Sequence, residues 1–206
     1  GIYWRIYVDD GNTISSYSAK LSGMDSWKAD KESPKALLYG WFNDYERWSS
    51  VTLDGFSFRN VLLVNNDMTV MTEKRKFPDP DGNMKEINIP VFNGGTDMLN
   101  GIIRAFSTTD GKIIAVTNSR WHVHIDYENT TCSTDGKAII PAEIYTAIKS
   151  VMRMDEYGTL DLGYRRSIVT PEEALPGANG EIKDACMTND ESIIIVGDLT
   201  AFDGKT

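Results

Sequence analysis

The stretch Ser33-Pro34-Lys35-Ala36-Leu37-Leu38-Tyr39-Gly40-Trp41-Phe42-Asn43-Asp44-Tyr45-Glu46-Arg47-Trp48 decides the fold class. Ser33 can cap a helix. Pro34 at the first helical position loses nothing, because its N–H would be unpaired there anyway. Leu37, Leu38, Trp41, Phe42, Tyr45 and Trp48 follow at three- and four-residue spacing, one broad apolar stripe. The spacing predicts a helix over 34–48 that packs on a sheet and buries Leu38, Trp41, Phe42 and Tyr45. A Trp-rich stripe would also suit a docked partner, but core packing is the commoner use of such a face.

Working outward, three more segments read as helices. Pro141 opens one with Ile144, Ala147, Ile148, Val151 and Met152 on its apolar side. Thr170-Pro171-Glu172-Glu173 is a capping box, stopped by Pro176-Gly177. Thr96 caps a short helix near 96–101, although Gly101 costs it about 1 kcal/mol against Ala.

The remaining segments read as strands. Residues 2–8 are rich in aromatic and β-branched side chains, Asp9-Asp10-Gly11-Asn12 turns the chain, and Thr13–Ala19 returns. Residues 20–32 are polar and read as loop. Val51–Phe58 is strand-like, and Asn65-Asn66-Asp67 separates Val61–Val64 from Met68–Thr72. Phe77-Pro78-Asp79-Pro80-Asp81-Gly82-Asn83 is the strongest turn cluster. After it Glu86–Phe92 resumes a strand, with Pro90 at an edge or ladder end. Asp110-Gly111 between apolar runs predicts a hairpin of 102–107 with 113–118. Trp121, Val123, Ile125 and Tyr127 alternate with Arg120, His122, His124 and Asp126, which predicts a strand with one apolar and one polar face. Thr159–Val169 is strand-like, and the short apolar run Ile193–Val196 reads as a central strand. The class expected is α+β: a mostly antiparallel sheet built from hairpins, with two to four helices packed on it. One domain spans 1–206, and any subdivision falls near 77–83.

Composition bounds the function. The chain has 206 residues, 21 Lys+Arg and 30 Asp+Glu, so its net charge is −9. That balance disfavours nucleic-acid binding, which needs clustered cations, and the one basic cluster, Lys74-Arg75-Lys76, lies beside Asp79 and Asp81. No apolar run approaches the roughly 18 residues of a membrane helix. Cys132 and Cys186 form no CxxC motif, which argues against a zinc ribbon, and so few cysteines suit a reducing, cytoplasmic setting.

One constellation suggests chemistry. On a strand, His122 and His124 point the same way about 6–7 Å apart, with Asp126 next on that face. Two imidazoles so placed can converge on one divalent metal such as zinc or manganese, with Asp126 as a third ligand. Such a pair resembles the His-x-His pairs of several zinc and amidohydrolase families, which need further histidines that this chain lacks. The bland reading is two polar residues on a solvated strand face. No Gly-x-Ser-x-Gly elbow or Walker spacing is present. Asp79-Pro80-Asp81-Gly82-Asn83 fails as a calcium loop, because its glycine is one place early.

Trp4-Arg5-Ile6-Tyr7-Val8-Asp9-Asp10-Gly11-Asn12-Thr13-Ile14-Ser15 is similar to the opening of small uncharacterised phage-encoded proteins, which begin with a Trp-Arg-Ile-Tyr strand and a following turn. The resemblance covers about a dozen residues. It implies a phage origin, hence host cytoplasm, and carries over no catalytic residue. The Asp110-Gly111 hairpin also looks like the first hairpin of proteasome-type amidohydrolases, but Gly101 stands where their nucleophile would be.

The sequence therefore suggests an acidic, non-enzymatic binding or accessory protein, acting on a protein partner and needing no cofactor. The alternative is a metal-dependent hydrolase or phosphoesterase centred on His122, His124 and Asp126.

Overall fold

Leu37, Leu38 and Tyr39 are all buried, and their side chains divide between two cores. Leu37 and Tyr39 join Trp27, Val61, Leu63, Ile102 and Ile113, whereas Leu38 joins Phe42, Leu62, Phe77 and Ile89. Side chains that alternate between opposite faces make a strand, and a strand buried on both faces is apolar without interruption. In this computed structural model the expected helix is accordingly a central strand. The structure describes residues 3–9, 14–27, 35–44, 49–50, 52–53, 56–57, 59–67, 69–97, 100–164 and 177–206.

The first sheet runs antiparallel in the order β1 (Tyr3–Asp9), β2 (Ile14–Ser26), β3 (Ala36–Trp41) and β8 (Val61–Val64). Between β3 and β8 lie two short hairpins, β4 (Asn43–Asp44) with β5 (Ser49–Ser50) and β6 (Thr52–Leu53) with β7 (Phe56–Ser57). A long hairpin follows, β9 (Thr72–Pro78) with β10 (Met84–Pro90), with Pro90 at the end of its ladder. The Pro-Asp segment at 77–83 supplies its turn. Two three-stranded sheets come next. One is β11 (Gly94–Thr96), β14 (Trp121–Ile125) and β17 (Glu143–Ala147); the other is β12 (Ile102–Ser107), β13 (Ile113–Thr117) and β18 (Val151–Met154). β15 (Thr131–Cys132) pairs β16 (Ile139–Ile140), and β19 (Glu181–Met187) pairs β20 (Ile193–Asp198).

These strands correct the α+β expectation, because the described residues contain no helix and the architecture is all-β. Residues 141–152 are not one helix but β17, a link and the start of β18. The short helix near 96–101 gives way to β11 and irregular backbone, and residues 20–26 belong to β2 rather than to a loop. Thr159–Tyr164 is turn and isolated bridge instead of strand. β20 is no central strand: among the described residues it pairs only β19, and Ile194 and Val196 are exposed. Tyr45, Trp48 and the capping box at 170–173 lie outside the described residues.

The expected 102–107/113–118 hairpin is present. Its turn follows a plan used repeatedly. At 79–83, 108–112, 155–159 and 188–192 the first residue's N–H donates to the fifth residue's carbonyl, and the fourth residue's N–H donates to the first's. That is a type I turn closed by a left-handed residue. The left-handed position holds Gly82, Gly111, Gly158 and, unusually, Glu191 at φ 64°. Glu191 earns its place through its carboxylate, which accepts from the Thr109 N–H (2.7 Å) and hydroxyl (2.9 Å), tying the last hairpin turn to the 108–112 turn.

Candidate functional site

β13 continues into β14 through Asn118-Ser119-Arg120, which carries the chain from one three-stranded sheet to the other. Ile148-Lys149-Ser150 carries it back between β17 and β18. The two crossings are bonded to each other, Ile148 N–H to the Arg120 carbonyl (2.9 Å) and Thr117 N–H to the Ser150 carbonyl (2.8 Å). Strands that change sheets splay apart, and the space left is a cleft of about 780 Å³, walled on its third side by Ala178–Glu181.

The backbone is strained at this cleft. Ser150 has φ 70°, and Val151 N–H closes an i→i+2 bond onto the Lys149 carbonyl at 2.8 Å. A turn of that hand is rare outside glycine. The Ser150 hydroxyl accepts from the Ala178 N–H at 3.0 Å and so draws the third wall in. Gly177 sits against it, where a Cβ would lie 2.7 Å from Lys149 Cβ. Asn118 exchanges two bonds with Ile182, Nδ2 to the carbonyl and the Ile182 N–H to Oδ1, each 3.0 Å, as a peptide group would. Asn179 holds Thr200 and Ala201 by their N–H groups. These amides build the wall and are already occupied.

What remains open to a ligand is Trp121, 44% exposed, the Arg120 guanidinium, the Glu181 carboxylate and the Asn100 amide. Trp121 meets the exposed Tyr145 edge-on, with ring centroids 6.5 Å apart. The Tyr145 hydroxyl donates to Glu143 (2.8 Å), which pairs with the buried Arg59. Asn100 and Asn118 also line a second space of about 370 Å³, together with Trp41, Arg104 and Lys183. Gly101 lets the chain pass there, since a Cβ would stand 2.7 Å from the Gly40 carbonyl oxygen. Arg104 and Lys183 are already paired, with Asp184 at 2.9 Å and Asp198 at 2.6 Å.

The histidine pair lies elsewhere on β14. His122 is fully buried and His124 is half-buried, so the expected solvated polar face does not exist. The rings are 5.4 Å apart, and the His122 Nε2–H donates to the Gly158 carbonyl at 2.9 Å. A carbonyl only accepts, so Nε2 carries the proton and Nδ1 keeps its lone pair. Nδ1 of each histidine is buried without a hydrogen-bond partner. Burial pushes His122 down to about 4, against the raising effect of the Gly158 carbonyl. Burial also lowers His124, opposed by Asp126 and Asp155. Asp126 falls beyond the strand end. Its carboxylate is spent on the Asn129 amide (2.6 Å) and the Glu128 N–H (3.0 Å), which hold it below the usual carboxylate range. Among the described residues no three His, Cys, Asp or Glu side chains are grouped to hold a metal ion.

Sequence reasoning put Trp121 on an apolar core face and gave Arg120 and Glu181 no role. The one local signal was Asn-Ser-Arg-Trp, an aromatic opening a strand straight after a polar link. Compared with family models, curated proteins and solved structures, the chain matches none. No helix among the described residues is long and apolar enough to cross a membrane, and Cys132 and Cys186 are unpaired.

Proposed function

We propose that this is a binding protein without catalytic chemistry of its own, and that the groove between the sheet crossings is its contact surface. The observation that carries the reading is the half-exposed Trp121 beside unpartnered Arg120 and Glu181, on a backbone strained at Ser150. Backbone strain retained beside a pocket supports a functional use of that pocket. The rival centre, His122 with His124, is closed at its ligating atoms, because His122 has no exposed surface and Nδ1 of both rings is buried. The unpaired thiols support a reducing compartment, and the phage origin suggested by Trp4–Ser15 accords with an accessory role.

The test has two arms. A fragment library screened by ligand-observed NMR should give hits that disappear with Trp121→Ala. Activated phosphodiesters and esters incubated with zinc or manganese should show no turnover above buffer. Metal-dependent turnover lost in His122→Ala/His124→Ala would establish the hydrolase reading instead. Fragment binding unaffected by Trp121→Ala would remove the groove. A protein captured through the exposed Ile194–Val196 face would support the expected protein partner and also displace the groove.

A further inference from the structure

We propose that the groove binds an oligosaccharide; this deepens, and rests on, the reading of the groove as the contact surface. The groove, about 780 Å³, lies in the upper range of small-ligand sites, and a neighbouring space of about 370 Å³ shares Asn100 and Asn118 with it. Trp121 lines the larger space half exposed, so an apolar ring face stands in a polar channel. A pyranose ring has that character, with C–H faces that lie on an indole and a rim of hydroxyls.

The open polar groups fit the rim. Arg120 only donates, Glu181 only accepts, and the Asn100 amide does both. A hydroxyl is donor and acceptor at once, so alternating groups along it satisfy all of them. A phosphate chain offers acceptors alone and would meet the Glu181 carboxylate, while Arg104 and Lys183 are already neutralised. The net charge of −9 opposes it further. A peptide that adds as a strand needs an open edge. Here the crossings bond to each other, and Asn118 closes the Ile182 backbone.

The experiment is a tryptophan-fluorescence titration with cellotetraose, chitotetraose and tetragalacturonate, run beside a glycan array and a (dT)10 control. At least one glycan should bind saturably. Trp121→Ala should weaken it about tenfold or more, as loss of an aromatic anchor does, with an unchanged melting temperature because the ring is half exposed. Arg120→Ala should weaken tetragalacturonate more than the neutral sugars if the ligand is acidic. No binding on the array or in solution, or binding of (dT)10 alone, overturns the proposal. If fragment hits still depend on Trp121 in that case, the groove survives as a contact surface and only the saccharide assignment falls.

Discussion

Asn60→Ala should be among the most damaging single changes in the protein. Asn60 is 2% exposed and has φ 71°. Its Oδ1 accepts from the Phe42 N–H at 2.7 Å, and its Nδ2 donates to the Thr96 hydroxyl at 2.8 Å and the Asp97 carbonyl at 3.0 Å. Truncation strands the buried Phe42 N–H, at a cost of about 1–3 kcal/mol, and removes a further bond worth about 1 kcal/mol. Alanine also tolerates left-handed backbone less well than asparagine, which adds up to about 1 kcal/mol. The sum is roughly 2–5 kcal/mol, to be read from urea unfolding followed by tryptophan fluorescence. Asn60→Gly should recover about 1 kcal/mol of it, because only the backbone share is relieved. A loss below about 1 kcal/mol for Asn60→Ala would refute the reasoning. The same residue anchors the segment that delivers Asn100 to the groove, so the damage should reach ligand binding as well.

His122 gives a pH prediction. Its native value of about 4 lies below the unfolded 6.5, so the native state binds fewer protons and its contribution is complete only above about pH 6.5. Between pH 6.5 and 5 stability should fall by roughly 2 kcal/mol, and His122→Gln, which keeps an N–H for the Gly158 carbonyl, should flatten that slope in urea midpoints. Gly82→Ala, with φ 84° and open space around the new Cβ, should lose only about 1 kcal/mol in thermal unfolding. Gly158→Ala places a Cβ 2.2 Å from the Gly94 nitrogen and should prevent a native circular-dichroism spectrum. Glu191→Gly trades the lost Thr109 contacts against relieved backbone and should melt near the parent temperature, whereas Glu191→Ala should be about 1 kcal/mol less stable.

The turns were legible because their chemistry is local. Asp110-Gly111, Asp79–Asn83 and Asn65–Asp67 turn the chain where their residue types require. The helices misled because burial on two faces and helical spacing write the same pattern over a short run. Leu37, Leu38 and Phe42 have helical spacing by coincidence: Leu37 faces one core while Leu38 and Phe42 face the other. Ile144, Ala147, Ile148, Val151 and Met152 also fit a helix. The left-handed Ser150 breaks that run, and Ile144 and Tyr145 lie exposed on opposite faces of β17. Ser150 is not a residue type that announces left-handed backbone, so nothing local signalled the break. The groove was illegible for a further reason. Arg120, Ser150 and Glu181 come from three separate parts of the chain and meet only when two sheets exchange strands.

That division of labour bears on why the groove lies where it does. The hairpin turns at 79–83, 108–112, 155–159 and 188–192 are each closed by their own backbone, the first residue bonded to the fourth and fifth. The crossings at 118–120 and 148–150 add to their local bonds, those of Ser119 with Thr117 and Trp121 and of Val151 with Lys149, contacts to each other and, through Asn118 and Ser150, to the 178–182 segment. A left-handed non-glycine residue costs on the order of 1–3 kcal/mol, and surroundings must over-determine it for it to persist. At Ser150 the surroundings are the walls of the cleft: the strained turn aims the hydroxyl at the Ala178 N–H, which fixes the approach to Glu181. Relieving the strain by straightening the link would release that wall. The stability given up at Ser150 is therefore tied to the position of the 178–181 wall, which brings Glu181 to the same open space that Arg120 lines.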